Sequence, residues 1–353
     1  LHLIFGCAAI ACPAVTASGA SKDQVKLALM VADQTTGVPL RARFSVVDCN
    51  GGARCPMPAD SCLFHDSSWA HRGYFYADGA CTLLLDPGCT LIGVGAGFEH
   101  VAVSDTVELS ADMSITYELA RCCDLSTSGW WCGDVHSHMC HPGGVYEIGC
   151  CSMVCLGEAE GLGVVNVLDN THGFVGGVLP ESSEKCLVYI TEEQRSSVLG
   201  HTGYLGLSGL IEPFNSGWAP LISDLADDVH CQPGAAVVCA HPVTTDDFFD
   251  LDSGPSATML ARELPVGLVN GAYDAFEILS YSNCHHEGRE LALWYRILNC
   301  GFAVPACGGT DACVNRLTDR PLGGYRTYAE CGAELDFERW LSAVAAGRSF
   351  VTN

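Results

Sequence analysis

Gly133-Asp134-Val135-His136-Ser137-His138 is the stretch on which the reading of this chain turns. In an extended segment residues i and i+2 face the same way, so His136 and His138 present two imidazoles to one side. Such a pair can bind one divalent cation or two neighbouring ones. Asp134 shares their parity and is expected to orient a ligand from behind. A His-x-His pair taken alone is common by chance. Its weight comes from the residues downstream.

Four later segments place polar residues where apolar, strand-like runs end. Asp169-Asn170-Thr171-His172 follows the run 162–168, and His241-Pro242 follows the run 234–240. Glu192-Glu193 precedes His201, and Asp311-Ala312-Cys313 follows a run at 302–304. Each alone reads as a cap, a turn or a surface histidine. Gathered at strand ends they read as a site for one to three divalent ions. Imidazole and carboxylate donors with little thiolate suit zinc, manganese or iron.

Around these segments strand-like runs alternate with helix-length ones. Residues 275–279 read as a further buried strand. Residues 290–299 read as a helix with Leu291, Trp294, Tyr295 and Leu298 on its apolar face, and 337–346 as a second amphipathic helix. Alternation of this kind implies an α/β domain with a parallel sheet or barrel, whose chemistry gathers at the C-terminal strand ends. His136, Asp169, His241 and Asp311 all fall there.

Residues 22–121 read differently. Short strands at 25–31, 41–47, 73–76, 81–85, 90–94 and 100–103, broken by turns such as Asp86-Pro87-Gly88, imply a β-sandwich domain. The domain boundary is expected at 120–130.

The motifs together resemble the PHP (polymerase and histidinol phosphatase) superfamily, and within it the CehA/McbA family of metallohydrolases. Thr36-Gly37-Val38-Pro39-Leu40-Arg41-Ala42-Arg43, Tyr74-Phe75-Tyr76-Ala77-Asp78-Gly79 and Gly129-Trp130-Trp131-Cys132-Gly133-Asp134-Val135-His136-Ser137-His138 carry the resemblance. So do Trp294-Tyr295-Arg296-Ile297-Leu298-Asn299-Cys300-Gly301 and Pro321-Leu322-Gly323-Gly324-Tyr325-Arg326-Thr327-Tyr328. It implies a distorted seven-stranded β/α barrel of PHP type over 128–353, preceded by the β-sandwich, with a two- or three-metal centre. Position by position it implies His136, His138, Glu193 (with Glu192 as rival), His201, His241 and Asp311 as ligands. Cys313 stands where the family has histidine, so either the thiolate ligates or an ion is missing. Asp169-Asn170 stands where the family has Asp-His, and His172 follows two residues later.

The chemistry expected is attack by a metal-activated hydroxide on an ester, carbamate, amide or phosphate centre. Asp311 or Asp169 would take the water's proton. His201 or His172 would protonate the leaving group. Arg195 is the foremost candidate for contact with a substrate anion, ahead of Arg296 and Arg326. Glu277, at a strand end, is either a carboxylate behind a ligand or a packing partner. The alternative from another class is a binding protein on a degraded hydrolase barrel.

Composition narrows the partners. The chain carries 41 acidic and 17 basic residues, a net charge of −24, which disfavours nucleic acid and anionic membranes and leaves a small-molecule substrate. Residues 1–20 resemble the tail of a signal peptide, so an extracellular or periplasmic location is expected. No later run is apolar for the ~18 residues a membrane span needs. Of 22 cysteines, a few are expected in disulfides around Cys49, Cys55, Cys62, Cys81 and Cys89, and the rest as free thiols, many of them buried. His285-His286 reads as a polar loop, and Asp246-Asp247 with Asp250 and Asp252 as a solvated acidic loop. No Gly-x-Ser-x-Gly elbow and no P-loop occur.

Overall fold

Alternation along Val25–Asp33 buries Val25, Leu27, Leu29 and Val31 and turns Lys26 and Met30 outward, the pattern of a strand with one face on a core. The computed structural model describes residues 24–50, 63–65, 74–144, 147–169, 172–196, 198–213, 217, 219–243, 261–280, 287–316 and 321–353. Residues 1–20, the acidic loop at 246–252, His285-His286, Cys55 and Cys62 lie outside the described residues.

The first eight strands are β1 (Val25–Asp33), β2 (Arg41–Asp48), β3 (Leu63–His65), β4 (Tyr74–Asp78), β5 (Ala80–Leu85), β6 (Gly88–Gly95), β7 (Val103–Leu109) and β8 (Met113–Leu119). They form two sheets, ordered β5-β1-β8 and β3-β4-β2-β6-β7. One apolar core joins them, with Leu27, Leu29 and Leu83 from the first sheet against Phe44, Val46 and Ile92 from the second. The strand expected at 100–103 begins instead at Val103, and β8 escaped the sequence reading. Cys49 and Cys89 form a disulfide, and Cys81 is buried in the core between the sheets.

The remainder comprises β9 (Trp130–His138), α1 (Cys150–Ala159), β10 (Val164–Val167), β11 (Leu187–Ile190), β12 (Glu192–Ser196), β13 (Gly200–Leu205), α2 (Ile222–His230), β14 (Ala236–Ala240), α3 (Leu264–Asn270), β15 (Ala275–Leu279), α4 (Glu287–Asn299), β16 (Ala306–Gly308), β17 (Ala312–Cys313), β18 (Arg326–Glu330), α5 (Phe337–Ala345) and β19 (Ser349–Thr352). These strands lie in two sheets. One is ordered β11-β10-β9-β18-β19, with β17 also on β9, and the other β12-β13-β14-β15-β16. Parallel pairs (β9 with β10, β14 with β15) mix with antiparallel ones (β9 with β18, β12 with β13). The two sheets meet on one side at the bridge Asp169–Glu192. On the other side the Gly308 N–H donates to Thr327 Oγ1 at 2.8 Å, and the Thr327 hydroxyl donates to Gly308 O at 3.1 Å. Among the described residues, no ladder of paired strands closes them into one seven-membered ring.

Helix α5 seals one end of the two sheets. Its N-cap Asp336 accepts from Arg339 N at 2.8 Å, and Phe337, Trp340, Leu341 and Val344 form its buried face. Trp340 is fully buried among residues of both sheets, and its indole donates to Trp131 O at 2.9 Å. Helix α4 presents a different face from the one the sequence suggested. Leu293 and Ile297 are buried with Glu290, while Tyr295 is 53% exposed. The set 290, 293, 294, 297 satisfies helical spacing as well as 291, 294, 295, 298 does. Only the position of β15 decides between them.

Candidate metal centre

Strand β9 carries His136 and His138 on one face, both buried, with Nε2 atoms 3.1 Å apart. Two carboxylates face these nitrogens. Asp311 Oδ1 lies 3.1 Å from His138 Nε2 and 3.4 Å from His136 Nε2. Glu193 Oε2 lies 3.4 Å from His138 Nε2, and Oε1 lies 3.6 Å from His136 Nε2.

Period-two geometry separates Glu193 from Glu192. In the β12–β13 hairpin Arg195 pairs with His201, so Glu193, Arg195 and His201 share one face of the sheet. Glu193 Oε1 is 2.8 Å from His201 Nδ1 and 3.2 Å from His241 Nε2. Glu192 faces the other way. Its carboxylate accepts from Gln194 Nε2 at 3.0 Å and Ile211 N at 3.4 Å, and burial pushes its pKa up to about 7. His241 follows β14, whose Ala240 pairs with His201, which places the two imidazoles 4.9 Å apart between ring centroids.

Three overlapping groups result: His136, His138 and Glu193; His136, His241 and Asp311; Glu193, His201 and His241. Within each, the donor atoms lie within 4.8 Å of one another. Buried imidazole nitrogens and carboxylate oxygens crowded this closely make a donor set that fits a divalent cation. Glu193, His136 and His241 each belong to two groups, the arrangement that lets neighbouring ions share ligands.

Carboxylates behind the imidazoles fix their orientation. Glu277 Oε1 lies 3.0 Å from His136 Nδ1, and its Oε2 accepts from His241 N at 2.8 Å, so one side chain positions two histidines. The sequence left Glu277 undecided. A lone carboxylate inside the apolar strand Ala275-Phe276-Glu277-Ile278-Leu279 was the available signal. Asp169 Oδ1 lies 3.0 Å from His138 Nδ1, and its Oδ2 accepts from Met139 N and Cys140 N at 2.6 and 2.7 Å. Asp134 Oδ1 accepts from His136 N and Thr310 N at 3.0 and 2.9 Å. Its Oδ2 accepts from the Thr310 hydroxyl and from Gly323 N at 2.9 Å. Burial pushes the Asp134 carboxyl up to about 6 against the pull of those donors.

Backbone strain concentrates here. Among the described residues, the non-glycine positions with positive φ are His241 (24°) and Asp311 (51°). Both are in the cluster, where such strain persists only because packing over-determines it. The Asp311 N–H donates to His136 O at 2.7 Å, which sets the segment that carries the carboxylate. Gly309 passes so close beneath β9 that a Cβ there would lie 2.6 Å from His136 Cβ. Gly309→Ala is therefore expected to displace His136, cost about 1–3 kcal/mol of stability, and loosen metal retention. Chelator competition and urea unfolding of the variant check this, and unchanged values would contradict it.

Two residues expected in the centre stand apart. His172 is exposed, held through its backbone N–H to Asp169 O, and belongs to none of the three groups. Cys313 is buried, with Sγ 3.8 Å from Asp311 O, and is also in none of them. It sits in β17, paired in register with His138. Arg195 does enter the site, but its Nε donates to Glu193 Oε2 at 2.7 Å. Arg326 is buried elsewhere, donating to Gly323 O and Glu160 O.

The imidazoles and carboxylates of the cluster shift one another's pKa values in opposite directions. Burial would lower the His138 pKa, but Asp169, Asp311 and Glu193 raise it to about 10. Burial likewise opposes His136, which the charges of Glu277, Asp311 and Glu193 hold well above its ordinary value. Glu193 and Asp311, despite burial, are held well below the carboxylate range by those same imidazoles. A ligating imidazole nitrogen must give up its proton. Cation uptake at pH 7–8 is therefore expected to release protons, and affinity to fall as pH drops. Calorimetry in buffers of different ionisation enthalpy measures this. A binding heat independent of buffer would rule it out.

The sequence matches no protein-family model and no curated protein. Among solved structures it is similar to PsfC from Pseudomonas syringae PB-5123, at 16% identity and a TM-score of 0.44, over 64% of this chain and 91% of that one. It is also similar to a two-domain protein from Bacteroides vulgatus containing a predicted PHP-like metal-dependent phosphoesterase, at 15% identity and a TM-score of 0.41, over 63% of this chain and 64% of that one. A third is the lesion-specific endonuclease PfuEndoQ from Pyrococcus furiosus, at 12% identity and a TM-score of 0.38, over 63% of this chain and 57% of that one.

Proposed function

We propose that this protein is a metal-dependent hydrolase whose centre is built from His136, His138, Glu193, His201, His241 and Asp311. One observation carries the reading: three overlapping His/carboxylate donor groups, drawn from β9, β12, β13 and the segments after β14 and β16, converge on one place. When bound there, divalent ions supply Lewis acidity and a nucleophilic hydroxide at neutral pH.

The chain's own residues do the positioning. Glu277 orients His136 and the backbone of His241, and Asp169 orients His138. Both oxygens of Asp169 are committed, so its role is to hold a ligand rather than to take a proton. Asp311 has a side chain 24% exposed against 2% for Glu193, and is the more accessible of the two carboxylates to take a proton. His201 is 14% exposed, and burial holds its imidazole below the ordinary pKa despite Glu193.

Substrates with an ester, carbamate or amide centre fit this chemistry. A phosphoester is the second reading, and a local observation favours it. Arg316 donates to Pro142 O at 3.0 Å and contacts His141 Nδ1, whose ring centroid lies 5.4 Å from that of His138, and among the described residues it has no carboxylate partner. In a chain with 41 acidic residues against 17 basic, a guanidinium without a carboxylate beside a metal centre suits an anionic group. Metal analysis of the purified protein, followed by a screen of aryl esters, carbamates, and phosphate mono- and diesters, tests both. A metal-replete protein that hydrolyses none of them, and whose His136→Ala variant binds ions equally well, would leave only a non-catalytic binding role.

A further inference from the structure

We propose that Arg195 is a resident cation of the metal centre, whose fixed charge beside Glu193 and His138 weakens and makes exchangeable the ion bound on that side. The inference rests on the metal-centre reading above. Arg195 lies on β12 two residues after Glu193, on the same face. Its Nε donates to Glu193 Oε2 at 2.7 Å. Its Nη2 lies 3.2 Å from His138 Nδ1 and 3.5 Å from Leu168 O. The side chain is 28% exposed, so the guanidinium lies mostly inside the protein.

These contacts commit Nε and Nη2 to the ligands Glu193 and His138 and to Leu168 O. The arginine is not needed simply to hold Glu193, because His201 and His241 already grip Oε1 at 2.8 and 3.2 Å. What it adds is a charge that stays at every working pH, since guanidinium does not deprotonate in proteins. A divalent ion ligated by Glu193, His136 and His138 meets that charge a few ångströms away in a buried site, where screening is weak. The group His136, His241 and Asp311 does not include Glu193 and is spared the closest approach. The centre then holds one ion tightly and a second loosely.

Full-length protein is stripped with a chelator and titrated with Mn²⁺ or Zn²⁺ against a fluorescent chelator, counting ions per chain. In Arg195→Met the weakest-bound ion is expected to bind at least about tenfold tighter, while Arg195→Lys keeps the wild-type value. Equal or weaker binding in Arg195→Met overturns the proposal. So does an Arg195→Lys variant that binds as tightly as Arg195→Met, since charge would then not be the cause. If Arg195→Met does not fold, Arg195→Gln removes the charge while keeping hydrogen-bonding capacity. If the wild type and the variants all hold no ion, the metal-centre reading falls and this inference falls with it. If the wild type holds ions and the variants differ from expectation, only this inference falls.

Discussion

Glu193→Gln is expected to leave the chain folded and strip it of both metal and activity. Glu193 is the carboxylate common to two of the three donor groups, with Oε1 toward His201 and His241 and Oε2 toward His138. The amide keeps the volume and removes the negative charge that binds a cation, so no cavity forms. Its NH₂ group also brings hydrogens to a place that imidazoles and ions need for lone pairs. Ions that share this ligand lose their strongest donor. The expected loss in kcat/KM is at least ~10³-fold, equivalent to about 4 kcal/mol of transition-state stabilisation. Elemental analysis after dialysis and steady-state kinetics on the best substrate of the screen read the two effects. A variant that retained full metal and activity would remove Glu193 from the centre.

The second large effect is on stability. Asp134 is completely buried, and its two oxygens accept from His136 N, Thr310 N, the Thr310 hydroxyl and Gly323 N. It ties β9 to the segment that carries Asp311 and to the turn before β18. Asp134→Ala leaves three backbone N–H groups and a hydroxyl without an acceptor in a space water does not reach. At about 1–3 kcal/mol for each unsatisfied buried donor, partly relieved by rearrangement, the expected loss is about 3–6 kcal/mol. That is a large share of the ~5–15 kcal/mol by which domains are stable. Asp134→Asn should lose less, because its carbonyl can serve His136 N and Thr310 N while the Thr310 hydroxyl turns to accept from the amide. Urea unfolding of the three proteins in chelator separates this from any loss of metal. Equal midpoints for the alanine variant and the parent would refute the anchoring role.

Much of this centre was readable from residue order. The parity of His136 and His138 follows from the strand, and His241 and Asp311 were visible as polar residues ending apolar runs. Strand β15 was read at its observed limits, and β14 and α5 to within a residue or two. Strand β12 was not found, for a physical reason. Glu192-Glu193-Gln194-Arg195-Ser196 looks like a surface loop by composition, yet four of its five residues are buried. Its burial is made tolerable by partners elsewhere in the chain: His201, His241, Ile211 N and the backbone of Gly217. Arg195 was read as a candidate contact for a substrate anion from its place in the Glu-Glu-Gln-Arg segment; the fold adds that its Nε donates to Glu193, two positions back on the same strand.

The order of residues by itself determined which groups are available and which neighbours in sequence share a face, because side-chain parity is a local property of an extended backbone. It therefore yielded the His-x-His pair, the donor chemistry and the contrast between strand-rich residues 22–121 and the mixed pattern after them. Tertiary structure alone decided which carboxylate of Glu192 and Glu193 turns inward, that Glu277 serves two histidines, that His172 and Cys313 stay outside, and that the second half forms two mixed sheets. Those outcomes depend on contacts between segments tens to more than a hundred residues apart, such as His136 with Glu277 and Asp134 with Gly323. No local periodicity encodes such meetings; they follow from burying both sheets at once and finding a partner for every polar group enclosed with them.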